Sequence, residues 1–241
     1  MENLREIYIE NIDSTNLWAK SNIETLDDKT VVYADSQTQG RGRLQRTWVD
    51  LGKGNLFMSL VLKPGENFDE RYANLTQYLS VCLCKILENY NLTPEIKWPN
   101  DVLINGKKMA GILSEASVRG TTFKGLVLGI GVNLNAKEED FAQIDKKVTA
   151  LNLEIGKTID MIEFKNDLVK EFFKNYDEFL AQGFEFIKKD YLQRANFLDK
   201  ELCVSLINET KKGVAKGVTD KGELVLANGE NEFILNIGDI L

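Results

Sequence analysis

Between Gly54 and Leu62 the residues Leu56, Met58, Leu60 and Leu62 fall on one face of an extended chain and Phe57, Ser59 and Val61 on the other. A strand apolar on both faces belongs in a sheet that is covered, at least in part, on each side. From Asp69 to about Asn89 the spacing changes, and Leu75, Leu79, Cys82 and Ile86 recur at the helical interval, which predicts an amphipathic helix to cover that sheet. Leu4 to Ile9 and Thr30 to Ala34 read as further strands, separated by a helix that carries Leu17, Trp18 and Ile23. Asn105-Gly106 between alternating apolar runs predicts a hairpin. Gly125 to Asn135 reads as a buried strand with Gly129 and Gly131 inside it, where glycine marks a bulge or the close approach of another group. Asp160-Met-Ile-Glu163 opens a long helix with Leu168, Val169, Phe172, Phe173, Tyr176 and Phe179 on its apolar face and Gly183 at its end, and a shorter helix through Ile187 and Tyr191 follows. From about Phe197 the texture turns to short strands at 201–207, 213–218, 223–227 and 232–235, with turns at Lys212-Gly213, Lys221-Gly222 and Asn228-Gly229. That spacing predicts a small SH3-like barrel.

Composition narrows the chemistry. The 241 residues suffice for one large core with a small appended domain. A net charge of -7 gives no overall field towards nucleic acid or anionic lipid, so neither a nucleic-acid nor a membrane partner is expected. No apolar run reaches transmembrane length, and Met1-Glu-Asn-Leu-Arg-Glu lacks the basic and apolar regions of an export signal. The cysteines Cys82, Cys84 and Cys203 cannot all pair within one chain, which favours a reducing cytoplasm; Cys82 and Cys84 lie in an apolar run and read as core filling. The chain contains no histidine. Serine and cysteine nucleophile systems that need a histidine base are therefore excluded, as are HExxH zinc sites. What remains is chemistry by carboxylates, lysines, arginines, backbone amides or a hard metal ion.

Against that acidic background one basic island stands out. Asp35-Ser-Gln-Thr-Gln-Gly-Arg-Gly-Arg-Leu-Gln-Arg46 places Arg41, Arg43 and Arg46 around Gly40 and Gly42 at the end of a strand. Glycines admit positive φ and close backbone approach, and guanidinium forks suit phosphate or carboxylate oxygens, so the segment reads as an anion-gripping loop, with a solvated basic loop as the plain alternative. Asp13-Ser-Thr-Asn16 holds more cap formers than one helix start needs, leaving hydroxyls and amides for a polar ligand edge. In Lys97-Trp-Pro-Asn-Asp101, Asp101 either ligates Mg2+, pairs with Lys97 or caps a turn. Lys108 leaves the hairpin either towards the same cleft or into solvent. The Gly-x-Gly at 129–131 lacks the third glycine of a dinucleotide fingerprint, and no P-loop sequence occurs.

Taken together, Asp13-Ser-Thr-Asn16, Gly40-Arg-Gly-Arg-Leu-Gln-Arg46, Lys97-Trp-Pro-Asn-Asp101, Lys108-Met-Ala-Gly-Ile-Leu113 and Gly129-Ile-Gly-Val-Asn133 make the chain resemble the biotin protein ligases, the biotin–[acetyl-CoA carboxylase] synthetase family. The resemblance implies an α+β fold, with a class-II-synthetase-like mixed-sheet catalytic domain over 1–196 and the SH3-like barrel over 197–241. It implies activation of biotin by ATP and Mg2+ to biotinyl-5'-AMP, and transfer to a lysine of a biotin carboxyl carrier protein or other biotin-accepting domain. By the same resemblance, Ser14, Thr15, Asn16, Gln37, Gly40, Arg41, Gly42, Arg43 and Lys108 hold biotin and its activated tail. Arg43, Arg46, Trp48, Lys97, Asn100 and Asn133 serve ATP, Asp101 contacts Mg2+, and Arg43 and Lys108 act in catalysis. A closing arginine loop is expected to be mobile when empty. Bifunctional members carry an N-terminal DNA-binding domain, whereas the resemblance here begins within the first ten or so residues, so repression of DNA is not expected. The C-terminus stops where many relatives continue to a basic residue, which leaves its part in ATP binding in question. Relatives often pair through their sheets, so a homodimer stays open. A lipoate ligase or octanoyltransferase of the same fold is the nearest alternative, and a non-catalytic binding protein is the alternative from another class.

Overall fold

The computed structural model describes residues 4–65, 67–142 and 144–241. Strand β1 (Glu6–Ile12) leads into helix α1 (Thr15–Ser21), and β2 (Thr30–Gln37) returns parallel to β1. The arginine loop follows, then β3 (Leu56–Leu62), antiparallel to β2 and buried at every position. A 3-10 turn over Glu70–Asn74 feeds helix α2 (Leu75–Glu88). Next come β4 (Pro94–Lys97), β5 (Asp101–Ile104), β6 (Lys107–Arg119) and β7 (Thr122–Val132). Among the described residues these strands form a mixed sheet in the order β1-β2-β3-β7-β6-β5-β4.

The double-sided burial of β3 has the cause its sequence implies. Leu56, Met58, Leu60 and Leu62 join the large core with α2, while Val61 joins Ala19, Ile23 and Leu26 behind α1. The Asn105-Gly106 hairpin forms between β5 and β6 with φ of 52° and 72°, the left-handed pair that a tight two-residue turn requires.

Helices α3 (Leu151–Ile155), α4 (Met161–Lys174), α5 (Tyr176–Gln182) and α6 (Glu185–Gln193) complete the helical layer. Asp160 caps α4 by accepting from the amides of Ile162 and Glu163. The single long helix expected as far as Gly183 is instead two, broken at Asn175 (φ -127°, ψ 22°). Asparagine is a poor helix former because its side chain competes for nearby backbone groups, and here it defeats an otherwise continuous apolar face. The short helix α3 and the loop before it carry no periodicity in the sequence.

The C-terminal strands β8 (Glu201–Ser205), β9 (Thr210–Val218), β10 (Leu224–Asn228), β11 (Asn231–Leu235) and β12 (Asp239–Ile240) make a second, antiparallel sheet ordered β11-β10-β9-β8-β12. This agrees with the small-barrel expectation and adds one strand, β12. Its apolar residues Leu202, Val204, Ala215, Leu224 and Leu226 belong to the same buried cluster as the first sheet and α2. Gln77 Nε2 and Trp98 Nε1 both donate to the Gly222 carbonyl oxygen, at 2.9 and 3.2 Å, and stitch the two parts together. No helix among the described residues is long and apolar enough to cross a membrane.

Candidate active site

A cavity of about 370 Å³ opens over the middle of the large sheet, within the size range usual for small-molecule sites. Its floor is made by glycines. Gly111 of β6 lies directly opposite Gly131 of β7, with Gly129 two residues before. A β-carbon at 129 would sit 2.6 Å from Asn16 Cγ and nearer still to Oδ1, and one at 131 would sit 2.5 Å from Trp48 Cε2. The strand glycines therefore answer to close approach, as their position predicts, and the approaching groups are the side chains of Asn16 and Trp48.

The start of α1 supplies an uncharged wall. Thr15 donates to Gln37 Oε1 from its amide (2.8 Å) and its hydroxyl (3.1 Å), and Ser59 Oγ lies 2.8 Å from Thr15 Oγ1 and 2.6 Å from Asn16 Oδ1. Asn16 Nδ2 donates to the Leu113 carbonyl oxygen and to Glu115 Oε2, at 3.3 and 3.1 Å. The Asn16 side-chain amide is thus engaged within the protein at both ends, although the residue lines the cavity. Of the backbone amides at this helix start, Asp13 takes that of Ser14, Gln37 takes that of Thr15, and Ser14 Oγ accepts at 3.5 Å from Leu17. Ser14 and Gln37 line the cavity, and with Gln37 Oε1 engaged its Nε2 is the end left for a ligand.

The arginine loop forms a second wall. Trp48 N donates to Gly40 O (2.9 Å) and Gly42 N to Arg46 O (2.7 Å), closing a compact turn. Its glycines serve in a way the sequence does not reveal. Gly42 is extended (φ -117°, ψ -177°), and the positive φ of 49° falls on Leu44. Gly40 is needed because a β-carbon there would collide with the Trp48 carbonyl group. Each arginine meets an acid: Arg41 NH1 is 3.2 Å from Glu115, Arg43 NH1 3.1 Å from Asp239, and Arg46 NH1 2.7 Å from the other oxygen of Asp239. Arg43 also donates to Asn100 Oδ1 at 3.1 Å, while Asn100 Nδ2 is tied to the Ile112 carbonyl oxygen. Burial pulls the Arg43 guanidinium below its ordinary pKa, against the opposing pull of Asp239 and Asp101.

Lys108 lies over the Trp48 ring at 5.4 Å and 2.6 Å from Asp101 Oδ1, so it faces the cleft. Asp101 pairs with Lys108, whereas Lys97 is its neighbour across the β4–β5 ladder. Burial lowers the Lys97 pKa, opposed by Asp101. Asn133 is buried, lines the cavity, and donates through Nδ2 to the Thr149 carbonyl oxygen at 3.0 Å. Of the residues singled out from sequence, Gly40 and Lys97 stand behind the cavity and the others line it.

Several residues of the site have no signal in the sequence. Asp145 and Lys146 reach the cavity from the loop before α3, Asp239 reaches it from β12, and Glu115 and Ser59 hold it from behind. Only the fold brings them near the arginine loop.

Residues 8–133, just over half of the chain, match the model of the biotin/lipoate A/B protein ligase family. The chain belongs to that family. It is 34% identical over 235 residues to the biotin–[acetyl-CoA-carboxylase] ligase of Paracoccus denitrificans, covering 95% of this chain and 96% of the relative. It is also 34% identical over 203 residues to the bifunctional ligase/repressor BirA of Bacillus subtilis, covering 83% of this chain but spanning only 62% of that relative. Among solved structures, the Aquifex aeolicus biotin protein ligase in complex with biotin and ATP superposes with a TM-score of 0.84 at 28% identity, covering 98% and 97% of the two chains. As a biotin/lipoate ligase-family member, the chain has the expected α+β architecture with a mixed sheet.

Proposed function

We propose that this chain joins biotin to a lysine of a biotin-accepting carrier domain in two steps. In the first, a biotin carboxylate oxygen forms a bond to the α-phosphorus of ATP as the bond to pyrophosphate breaks, giving biotinyl-5'-AMP. In the second, the carrier lysine amine forms the amide and AMP leaves. The observation that carries this reading is that one cavity brings together the uncharged Ser14, Thr15 and Gln37 and the basic Arg41, Arg43, Arg46 and Lys108, the basic groups held by Glu115, Asp239 and Asp101. The uncharged set suits the neutral ring system of biotin and the basic set suits two anions that must meet. Two unit charges at 4 Å repel by about 4 kcal/mol at an effective dielectric of ~20, and fixed guanidinium groups offset that barrier without histidine. The relatives named for biotin ligation, one of them solved with biotin and ATP, support the same reading.

Within it, Ser14, Thr15 and Gln37 hold the biotin ring, with Asn16 keeping Thr15 and Ser59 in place. Gly40, Arg41, Gly42 and Arg43 close over the tail and the activated phosphate, Lys108 steadies the shifting carboxylate charge, and Arg46, Trp48, Lys97, Asn100 and Asn133 serve the nucleotide. Mg2+ commonly takes one or two carboxylates together with substrate phosphates. Asp101 is a carboxylate on the cavity, and with Oδ1 paired to Lys108 its Oδ2 is the oxygen left for such an ion. Asp101 would hold the ion, which when bound supplies charge neutralisation at the phosphate oxygens. Three unpaired thiols support a reducing, cytoplasmic setting.

ATP–pyrophosphate exchange run with biotin and with lipoate, each with and without Mg2+, tests the proposal. Exchange dependent on biotin and Mg2+ is expected. Exchange with lipoate alone would move the chain to the lipoate branch of its family, and none with either would favour a binding module.

A further inference from the structure

We infer that Glu115 is a positioning residue of this site, holding the Arg41 end of the arginine loop and the Asn16 scaffold in one arrangement. Glu115 lies in β6 outside the cavity, and its side chain is only 13% exposed. A carboxylate so placed needs donors to offset its lost hydration. It meets three, from two other elements. Asn16 Nδ2 donates to Oε2 at 3.1 Å, while Lys20 Nζ (3.4 Å) and Arg41 NH1 (3.2 Å) both lie against Oε1. Asn16 in turn meets Ser59, Ser59 lies against Thr15, and Thr15 donates to Gln37. One carboxylate therefore connects the uncharged wall to the cationic wall. Asp239 restrains the far side of the loop through Arg43 and Arg46, which leaves the Arg41 side to Glu115. In substrate terms the inference rests on the proposed biotin site; the loop-holding role does not.

The test compares Glu115→Gln, Arg41→Gln and the double variant with wild type. Glutamine keeps the reach to Asn16 and removes the charge facing Lys20 and Arg41. In ligand-free protein, hydrogen–deuterium exchange over residues 40–42 is expected to rise about fivefold in each single variant, as suits a half-exposed ion pair, and no further in the double. In pyrophosphate exchange, Glu115→Gln should raise the KM for biotin about fivefold and leave the KM for ATP within about twofold, a split that general loosening of the fold does not produce. Unchanged hydrogen exchange in the single variants, or effects that multiply in the double, overturns the loop-holding role. An unchanged KM for biotin in a wild type that uses biotin overturns the coupling to the substrate wall. Should wild type show no biotin-dependent exchange, the proposed function falls while hydrogen exchange still decides Glu115. If Glu115→Gln does not fold, Arg41→Gln alone decides the loop-holding role, and hydrogen exchange at the wild-type rate overturns it.

Discussion

Gly129→Ala puts the packing beneath the cavity to a direct test. The new β-carbon would lie 2.6 Å from Asn16 Cγ and 2.9 Å from Nδ2, with Oδ1 nearer than either. Asn16 has little freedom to retreat, since its amide is held by Ser59, Leu113 and Glu115. Either β7 shifts, or Asn16 turns away and gives up those three hydrogen bonds. Net values of about 1 kcal/mol for each neutral bond and somewhat more for the one to a carboxylate put the loss at about 3 kcal/mol, within the usual range for overpacking. For a chain of this length that corresponds to a fall in Tm of roughly 10 °C. Urea unfolding measures the free energy directly. The double variant Asn16→Ala/Gly129→Ala supplies the control, because with Asn16 truncated the extra methyl group has nothing to strike. Its stability should match that of Asn16→Ala alone. A loss below about 1 kcal/mol for Gly129→Ala, or additive losses in the double variant, would refute the steric account.

Asp239→Asn removes the charge that faces both Arg43 and Arg46. Arg46 is 44% exposed and contributes little, so a loss of about 1–2 kcal/mol in denaturant unfolding is expected; equal or greater stability would refute the pairing. Burial pushes the Cys82 thiol up to about 12 and raises Cys84 as well. A thiol reagent at neutral pH should therefore label only the half-buried Cys203 in native protein and all three cysteines after unfolding, and native labelling at Cys82 or Cys84 would contradict the packing. Hydrogen bonding from Arg71 lowers Asp69 to about 2 from an ordinary 3.8. A depressed carboxyl stabilises above its unfolded value and loses that contribution as the pH falls from about 3.8 towards 2. Asp69→Asn should be less stable than wild type near neutrality and converge with it at the acid end, so a constant difference across the acid limb would count against the assignment.

What the sequence revealed was whatever rests on local periodicity and local chemistry. The two-faced burial of β3, the Asn105-Gly106 turn and the short C-terminal strands each follow from their own residues. Arg41 and Arg43 were legible because glycine-flanked arginines are unusual in an acidic chain, whereas Gln37 and Lys108 rested on the resemblance to the biotin protein ligases. The counterions were not. Glu115 and Asp239 are ordinary acids in ordinary strands, and their meaning depends on contacts 74 and 196 residues distant in sequence, Arg41 with Glu115 and Arg43 with Asp239. Gly40 shows a subtler limit. Its presence marked the loop correctly, but its reason is a collision with the Trp48 carbonyl group, which no spacing rule announces.

The shared interior of the two sheets bears on how the molecule comes apart. Trp98 and Gln77 spend their polar atoms on Gly222, and Val204, Leu224 and Leu226 complete a cluster that reaches back to α2. The change of texture near residue 197 is therefore crossed by shared packing and hydrogen bonds. Heat or denaturant should melt both sheets in a single cooperative transition. A fragment cut at that point would leave Gln77 Nε2 and Trp98 Nε1 without the Gly222 carbonyl oxygen they share.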